Sequence, residues 1–304
     1  MTLLALLIGL VVERLATQLF HLRRLRWLDR LIDLGFDQIG RFANWPALIP
    51  VILMALLLIL PVFLVLFSFQ GALYGVANLV LAVVVLFFSL GPKDIGEDVD
   101  EYCRAIEAED EERILNTSKA LIETDVLTDP LKRIQKVEES VCIQANNRLF
   151  AVIFWFVLFG PYGPLGAWAY RVTDLIRRRA VFNNSRDDGK SITAIVQASE
   201  TLHGWLAWIP ARLTAIGFAM AGSFEGALTA WRTPADSKAM PLHEQSESLL
   251  ARVGVGAMAL QEIKGESTSD RGVRGARAAN GLVFRLLFIW AAVIAAMTLY
   301  GWSV

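Results

Sequence analysis

The stretch from Phe42 to Pro92 lacks Asp, Glu, Lys, Arg and His over 51 residues. As one helix it would be about 76 Å long at about 1.5 Å per residue, whereas the hydrocarbon core of a bilayer is about 30 Å thick. The stretch therefore has to fold back, and two membrane-spanning helices joined by a tight turn satisfy both lengths. The sequence predicts an all-α integral membrane protein in contact with the lipid bilayer.

The chain also lacks the marks of several other classes. Its net charge is −1, and Lys and Arg are not gathered on one periodic face, which excludes a nucleic-acid partner. His21, His203 and His243 share no ligand spacing, so no metal site is predicted. The Gly-x-Ser-x-Gly and His-Glu-x-x-His motifs of hydrolases are absent as well. We predict no cofactor and no catalytic residue.

Cysteine is scarce, since Cys103 and Cys142 are the only two. Both lie in polar, charged stretches without Cys-x-x-Cys spacing. We predict reduced thiols facing the cytoplasm, and a disulfide is the alternative.

Composition divides the chain into seven segments. Arginines occur in the second segment and just before the last segment, and the positive-inside rule places both regions in the cytoplasm. The first segment precedes the second across the membrane, so the amino terminus is predicted to lie outside. The result is about four transmembrane helices plus one re-entrant or fifth apolar segment. The segments are an anchor helix at 1–20, a cytoplasmic amphipathic loop at 21–46, a transmembrane hairpin at 47–90, an acidic cytoplasmic helical segment at 91–148, a re-entrant or transmembrane segment at 149–170, a cytoplasmic helical segment at 171–280 and a C-terminal transmembrane helix at 281–304.

The predicted anchor helix carries an adjacent acid and base, Glu13 and Arg14, inside an apolar stretch. On a helix these two side chains point about 100° apart, so they face different surroundings. Either they reach the membrane interface along their aliphatic stems, or they form an intramembrane polar site where helices meet, because charge is costly in lipid.

The two polar segments that flank the uncharged stretch differ in charge. Residues 21–46 are basic and carry apolar side chains at helical spacing, which predicts an amphipathic helix on the inner membrane face. Residues 93–148 contain 8 basic and 15 acidic side chains. Within them Asp129-Pro130 marks a helix start, because Asp caps free amides and Pro fits the first turn. That helix is predicted to run to about Asn147 and straight into the next apolar stretch.

Residues 149–170 carry no charge over 22 residues, which is long enough to span a membrane. Their middle is Gly-Pro-Tyr-Gly-Pro at 160–164, a strong helix breaker, and an arginine cluster that favours the cytoplasm follows. We therefore favour a re-entrant hairpin with a Gly/Pro tip over a full crossing, which stays the alternative. Non-helical backbone at that depth must be buried in protein or line a wet cavity.

Two stretches rich in small residues follow. Gly222 and Gly226 stand four residues apart, which permits close helix packing. Residues 264–277 are rich in Gly, Ser and Arg and are predicted to be flexible.

Polar side chains flank both ends of the predicted hairpin, and a closed hairpin would bring them together at the inner membrane face. Arginine offers forked donors to phosphate or carboxylate, so such a cluster predicts a pocket for an anionic ligand. Interfacial anchoring and helix capping are the alternative roles. The candidates are Asn147 and Arg148 before the hairpin, Arg171 and Asp174 after it, and Pro210 with Arg212 farther along the chain.

The chain carries the motifs Met1-Thr2-Leu3-Leu4, Glu13-Arg14-Leu15, Leu149-Phe150-Ala151 with Phe154-Trp155, Trp208-Ile209-Pro210-Ala211-Arg212-Leu213, and Thr298-Leu299-Tyr300-Gly301. They resemble motifs of the AmpE family, in the same order and across nearly the whole chain. The resemblance implies an inner-membrane signalling modulator of Gram-negative bacteria that is linked to cell-wall recycling, β-lactamase expression and thus antibiotic resistance. It implies a protein without its own catalysis, which acts beside the amidase AmpD or another cell-wall-recycling protein. In such a membrane the amino terminus, predicted above to lie outside, would be in the periplasm.

The AmpE family is in turn similar to the CobD/CbiB membrane synthases, which join an amino-alcohol arm to a corrin acid. Motifs of those enzymes resemble Ala151–Trp155 and Pro210–Ala215 here. Two acidic motifs of the synthases are replaced, one by residues 143–148 and the other by His203-Gly204. Carboxylates that would hold Mg²⁺ are missing from both places, so ligation of the cobalamin type is not expected. The alternative function is a CobD/CbiB-like membrane enzyme, or a binder of an anionic amphiphilic small molecule.

Overall fold

The structure of the protein is a computed structural model, and it describes residues 26–39, 45–68, 74–91, 94–122, 128–184, 190–233 and 240–300. Within these ranges every regular element is a helix, which confirms the all-α class. The predicted anchor helix at 1–20, with Glu13 and Arg14, lies outside the described residues.

The described ranges contain α-helices joined by short connections, one π-helical turn and one 3₁₀ turn. The π turn joins α6 to α7, and the 3₁₀ turn joins α7 to α8. In chain order the elements are α1 (Arg26–Ile39), α2 (Leu48–Ser68), α3 (Tyr74–Ser89), α4 (Ile95–Glu107), α5 (Glu111–Ile122), α6 (Pro130–Ala145), the π turn (Asn146–Phe150), α7 (Ala151–Leu158), the 3₁₀ turn (Gly160–Tyr162), α8 (Gly163–Asn184), α9 (Lys190–Ala221), α10 (Phe224–Arg232), α11 (Leu242–Met258) and α12 (Thr268–Leu299).

Three helical stretches in the described ranges are long and apolar enough to cross a membrane. They are Leu48–Ser68 in α2, Pro130–Leu158 through α6 and α7, and Thr268–Leu299 in α12. A shorter apolar stretch, Asn78–Ser89 in α3, follows α2. These helices make the chain an integral membrane protein whose apolar surfaces contact the bilayer.

The predicted helix start at Asp129-Pro130 is confirmed. Asp129 Oδ1 accepts a hydrogen bond from the backbone amide of Leu131 at 3.0 Å, and Pro130 occupies the first turn. α6 runs to Ala145, and the π turn carries the helix onward into α7. We call the continuous helix Pro130–Leu158 the central rod.

The chain turns back at Gly160–Tyr162, where the Gly/Pro motif predicts a break. Gly160 has a φ of +54°, in the left-handed region that favours glycine. Past the turn, a Cβ atom on Gly163 would collide with the backbone carbonyl of Phe156, so α7 and α8 pack in close contact. The result is a helical hairpin. Three apolar side chains are exposed at its tip, namely Leu158, Phe159 and Tyr162.

The prediction of a flexible stretch at 264–277 is wrong, because α12 already begins within it. Ser267 caps the helix by accepting a hydrogen bond from the amide of Asp270 at 3.0 Å. The first turns then pack against α4 and α6, where Arg271 pairs with the buried Glu138. Tertiary contacts therefore order a stretch whose composition is typical of a loop.

The buried apolar side chains form three cores, and two of them contain residues of the central rod. The first joins α4, α5 and α6 to α9, α10, α11 and α12, and the second joins α1, α2 and α3 to α8 and α9. The third joins α3, α7 and α8 and includes single residues of α9 and α12. Phe150 belongs to the first core and Ala151 to the third. The polar residues just before them lie where these two cores meet.

Candidate functional site

Asn146, Asn147 and Arg148 are buried on the π turn of the central rod. A π turn breaks the α-helical hydrogen-bond ladder, and such turns are frequent at functional sites. The sequence gives no sign of this turn, because its residues also fit an ordinary α-helix. From here the side chains extend to α4, α8 and α9.

Arg148 forms the contact with α4. Its Nη1 donates a hydrogen bond to Asp98 Oδ2 at 2.9 Å, and its Nε donates to Gln144 Oε1 at 3.0 Å. Gly91 packs against the stem of this side chain, since a Cβ there would lie 2.9 Å from Arg148 Cβ. Arg148 and Asp98 are both buried, so each needs the other to offset its desolvation.

Asp174 lies fully buried among three arginines of its own helix, α8. Its carboxylate accepts hydrogen bonds from Arg171 and Arg178 at 2.8 Å and from Arg177 at 3.2 Å. Burial alone would raise the pKa of Asp174, but the guanidiniums outweigh burial and hold the pKa well below its usual range. The carboxylate is therefore ionised at physiological pH and does not accept a proton.

Gln144 joins the two charged groups. Its Oε1 accepts hydrogen bonds from Arg148 Nε at 3.0 Å and from Arg178 Nη2 at 3.1 Å. Because Arg178 also binds Asp174, the ion pair of the rod with α4 and the charge cluster of α8 form one continuous set of contacts.

The amides of the π turn extend these contacts to α8 and α9. Asn147 Oδ1 accepts hydrogen bonds from Asn146 Nδ2 at 3.0 Å and from the Tyr170 hydroxyl at 3.4 Å. The Thr214 hydroxyl of α9 donates to Asn146 Oδ1 at 3.0 Å. Two asparagines thus connect three helices through buried polar groups.

His203 of α9 is buried beside the ring of Tyr170, with ring centroids 5.1 Å apart. No residue in the described ranges hydrogen-bonds either ring nitrogen of His203, or the Nδ2 of Asn147. Burial lowers the pKa of His203 to about 3, so the imidazole is neutral at physiological pH. A neutral imidazole donates one hydrogen bond and accepts another. These buried groups therefore have capacity for a polar ligand or ordered water.

We call this set of side chains the polar network. It brings together four of the six site residues predicted from sequence, and it lies where the central rod meets α4, α8 and α9. Its members are Asp98, Gln144, Asn146, Asn147, Arg148, Tyr170, Arg171, Asp174, Arg177, Arg178, His203 and Thr214.

Pro210, the fifth predicted residue, is buried on the same face of α9 as Thr214. Proline has no amide hydrogen, so the carbonyl of Leu206, four residues earlier, loses its helical donor. The indole Nε1 of Trp155 donates to that carbonyl at 3.1 Å. Pro210 thus creates an acceptor that attaches α7 to α9.

Arg212, the sixth predicted residue, is not joined to the polar network by any hydrogen bond or ion pair within the described ranges. It lies about 160° around the helix from Thr214, on the opposite side of α9. Its guanidinium stacks 3.8 Å from the ring centroid of Trp208 and donates to the carbonyl of the same residue at 2.9 Å. Helix geometry therefore separates Arg212 from the residues with which the sequence grouped it.

The sequence analysis missed several members of the polar network, although the spacing of two residue pairs could have indicated some of them. Gln144 and Arg148, and likewise Asp174 and Arg178, stand four residues apart and share a helix face. His203 has no partner at such a spacing, because only the fold brings it beside Tyr170. Its place in a segment that replaces an acidic motif of the synthases was the one available signal.

Both cysteines are free thiols, and both are buried. Burial raises the pKa of the Cys103 thiol to about 11, so this thiol stays protonated at physiological pH. The side of the membrane that each thiol occupies stays a prediction. Among the described residues no group of three or more His, Cys, Asp or Glu side chains is placed to hold a metal ion.

A separate apolar groove of about 680 Å³ lies between α1, α2, α3 and α8. Its lining includes Trp27 and Leu31 of α1, Leu57 and Pro61 of α2, and Phe88 of α3. Such a lining suits hydrocarbon, whereas the polar network offers hydrogen-bonding and charged groups.

Two curated proteins are similar to this chain. Protein AmpE from Shigella flexneri is 24% identical over 314 aligned positions, which cover 99% of each chain. The cobalamin biosynthesis protein CobD from Stutzerimonas stutzeri (strain A1501) is 25% identical over 154 residues. That second match spans about half of each protein, 50% of this chain and 48% of CobD. No solved structure matches the chain.

The family comparison covers the full length. The family model described as regulatory signalling modulator protein AmpE matches residues 1–304, and so includes the membrane helices and every member of the polar network. The shorter similarity to CobD agrees with the motifs shared with the CobD/CbiB synthases. The chain belongs to the AmpE family of regulatory signalling modulator proteins.

Proposed function

We propose that this protein is an inner-membrane modulator that links cell-wall recycling to β-lactamase expression, without catalysis of its own. The observation that carries the proposal is the match of the AmpE family model to residues 1–304. The polar network supports it, because its carboxylates, Asp98 and Asp174, are already paired with arginines. Neither paired carboxylate is available as a general base, and a change in helix packing would alter the contacts of both.

The first test is deletion of the gene in the bacterium that encodes this chain. We expect the β-lactamase activity measured with an inducing β-lactam to change several-fold, and a plasmid copy of the protein to restore it. Unchanged activity at every inducer concentration would contradict the proposed role.

Two variants connect that role to the polar network. We expect Asn147→Ala and His203→Gln to fail to restore induction while their amounts in the membrane stay normal. Lys132→Gln is the matched control, because Lys132 is a solvent-exposed side chain of the same rod. If all three variants restore induction, the regulatory role does not depend on the polar network.

We place the protein in the inner membrane with its amino terminus in the periplasm. The arginines of α1 and of the first turns of α12 support this orientation by the positive-inside rule. Alkaline phosphatase fused to the amino terminus should be active, and the same enzyme inserted between α10 and α11 should be inactive. The reverse pattern would overturn the orientation.

We propose AmpD or another cell-wall-recycling protein as the partner on the cytoplasmic side. The exposed acidic side chains where α4 passes into α5, Glu109, Glu111 and Glu112, offer a charged surface for such a partner. Replacing the three by Gln should lower photo-crosslinking yield to AmpD in intact membranes. Equal yield in the parent and the variant would remove this surface from the proposal.

A second candidate function is the binding of an anionic amphiphilic small molecule, as the partial similarity to CobD suggests. The specific observation in its favour is that His203 and Asn147 Nδ2 are buried beside arginines without a described hydrogen-bond partner. Cobyric acid and inorganic phosphate are suitable probes in a thermal-shift assay on the purified protein. Stabilisation of the parent but not of Asn147→Ala would support this function, and no shift with either probe would contradict it.

A further inference from the structure

The side of α9 that faces away from the polar network is apolar and exposed. Within one helix sector about 140° wide lie six large side chains, and Arg212 lies inside the same sector. Between Trp205 and Ala221 Arg212 is the only charged residue. The six, which we call the outer face of α9, are Trp205, Trp208, Ile209, Leu213, Ile216 and Met220.

The opposite side of the same helix is fully packed. Ala207, Ala211, Ala215 and Phe218 are buried in the protein cores, and Thr214 binds the π turn. Since protein already covers the inner side, the outer face needs a partner from outside the described chain. A contiguous apolar strip of this kind is unusual on a surface that only water contacts.

The neighbours of α9 indicate what that partner is. α9 packs against α2 and α12, two of the helices long enough to cross the membrane. Gly217 lies so close to Leu286 of α12 that a Cβ atom would collide with it. The outer face therefore belongs to a helix that packs directly against helices with lipid-facing surfaces.

The side chains of the outer face also have the composition of a membrane interface. Tryptophan is enriched where hydrocarbon meets headgroups, and arginine extends from that level to lipid phosphates. No carboxylate in the described ranges pairs with Arg212, whose guanidinium is held against the Trp208 ring. A planar guanidinium in this position presents its remaining donors to a phosphate.

We infer that the carboxyl-terminal half of α9 is embedded at the membrane interface, where Arg212 binds the phosphate of an anionic phospholipid. The helix does not need to cross the bilayer, because its inner side stays packed against the protein. This assignment gives Arg212 a lipid partner in place of the buried ligand that the sequence suggested. It is independent of the proposed regulatory role.

Spin labelling in phosphatidylglycerol/phosphatidylcholine nanodiscs tests the embedding. Labels on Leu213→Cys and Ile216→Cys should be relaxed strongly by oxygen and weakly by a water-soluble nickel chelate, as at the lipid reference Leu57→Cys. Leu131→Cys at the start of α6 is the aqueous reference, and the parent chain, whose two thiols are buried, is the blank. Strong nickel relaxation would overturn the inference. Weak relaxation by both agents would also overturn it, because it would show a protein or a second copy on the face.

Native mass spectrometry tests the phosphate contact. After extraction from equimolar phosphatidylglycerol and phosphatidylcholine, the parent should retain the anionic lipid preferentially, and Arg212→Gln should lower that preference about fivefold. Arg232→Gln, which removes an exposed arginine of α10, is the matched control and should leave the preference unchanged. An equal preference in the parent and Arg212→Gln would exclude the headgroup contact, whatever the spin labels report.

Discussion

The helix α2 and the central rod are both long and apolar enough to cross a bilayer, yet their surroundings differ. The most apolar window of α2 has a mean hydropathy of 3.1 and is 22% buried, whereas that of the rod has a mean hydropathy of 1.5 and is 67% buried. Lower hydropathy in the rod reflects polar side chains that face other helices of the same chain. α2 therefore lies at the lipid-facing edge, and the rod forms the axis around which the protein packs.

The polar network, where the rod meets α4, α8 and α9, should be the most sensitive part of the protein. Asp174→Ala would leave three arginines around an empty carboxylate position, and we expect it to lower the free energy of unfolding by about 3–5 kcal/mol. Chemical unfolding in detergent micelles measures the change. Glu139→Ala is the control, because Glu139 pairs with Lys136 at the surface and should cost at most about 1 kcal/mol. Similar losses for both variants would mean that burial of Asp174 does not matter.

A pair of apolar substitutions compares the two helices directly. Phe156 of the rod is fully buried, and Phe156→Ala should lower the free energy of unfolding by about 3 kcal/mol through loss of packing and a cavity. Leu57 of α2 is 66% exposed, and Leu57→Ala should change it by less than about 0.5 kcal/mol. The same unfolding titration measures both variants. Equal losses of stability would show that the central rod is no more tightly packed than α2.

Acid should destabilise the protein through His203 of α9. Its pKa is lowered by burial to about 3, so below about pH 6.5 the unfolded chain binds a proton that the folded protein refuses. Stability should therefore fall as the pH drops, by about 2 kcal/mol at pH 5 relative to pH 7.5. Asp174 adds nothing in this window, because a carboxylate with a lowered pKa keeps its stabilising effect until the pH falls below about 4.

The control for that pH dependence is His203→Gln, which removes the titrating group. Thermal unfolding at pH 7.5 and pH 5 should give a smaller pH effect in His203→Gln than in the parent. The same pH dependence in both proteins would assign the acid sensitivity to other groups.

The smallest expected effect concerns close helix packing after α9. A Cβ on Gly222 would collide with the backbone carbonyl of Ala257, so Gly222→Ala should cost about 1–2 kcal/mol. Gly281→Ala in α12 is the matched control, since nothing lies within 4 Å of its Cβ position and alanine favours a helix. Thermal unfolding should show a lower melting temperature for Gly222→Ala than for Gly281→Ala. A stabilised Gly222→Ala would show that the backbone at Ala257 moves away at little cost.

The sequence predicted the features that local chemistry decides. An uncharged stretch too long for one span identified α2 and α3, Asp129-Pro130 marked the start of the rod, and the Gly/Pro motif placed the turn after α7. The prediction of close packing at Gly222 and Gly226 is also confirmed, because both lie against backbone carbonyls of α11. Each of these depends on residues near one another in the chain.

The rest depended on contacts between distant segments. Nothing local indicates that the fold brings His203 beside Tyr170 or Thr214 to the π turn. Nothing local to Arg212 indicates that it points away from them. The stretch at 264–277 has the composition of a loop, yet the ion pair of Arg271 with Glu138 helps to hold it as helix. In this stretch tertiary packing outweighs local propensity.

The bond from the Trp155 indole to the Leu206 carbonyl has a consequence for how this sequence can drift during evolution. Any other residue at 210 restores an amide donor that competes for that carbonyl, and an aromatic ring without N–H at 155 leaves the carbonyl orphaned. The residue tolerated at position 155 therefore depends on the residue at position 210. We expect the two positions to covary in related sequences.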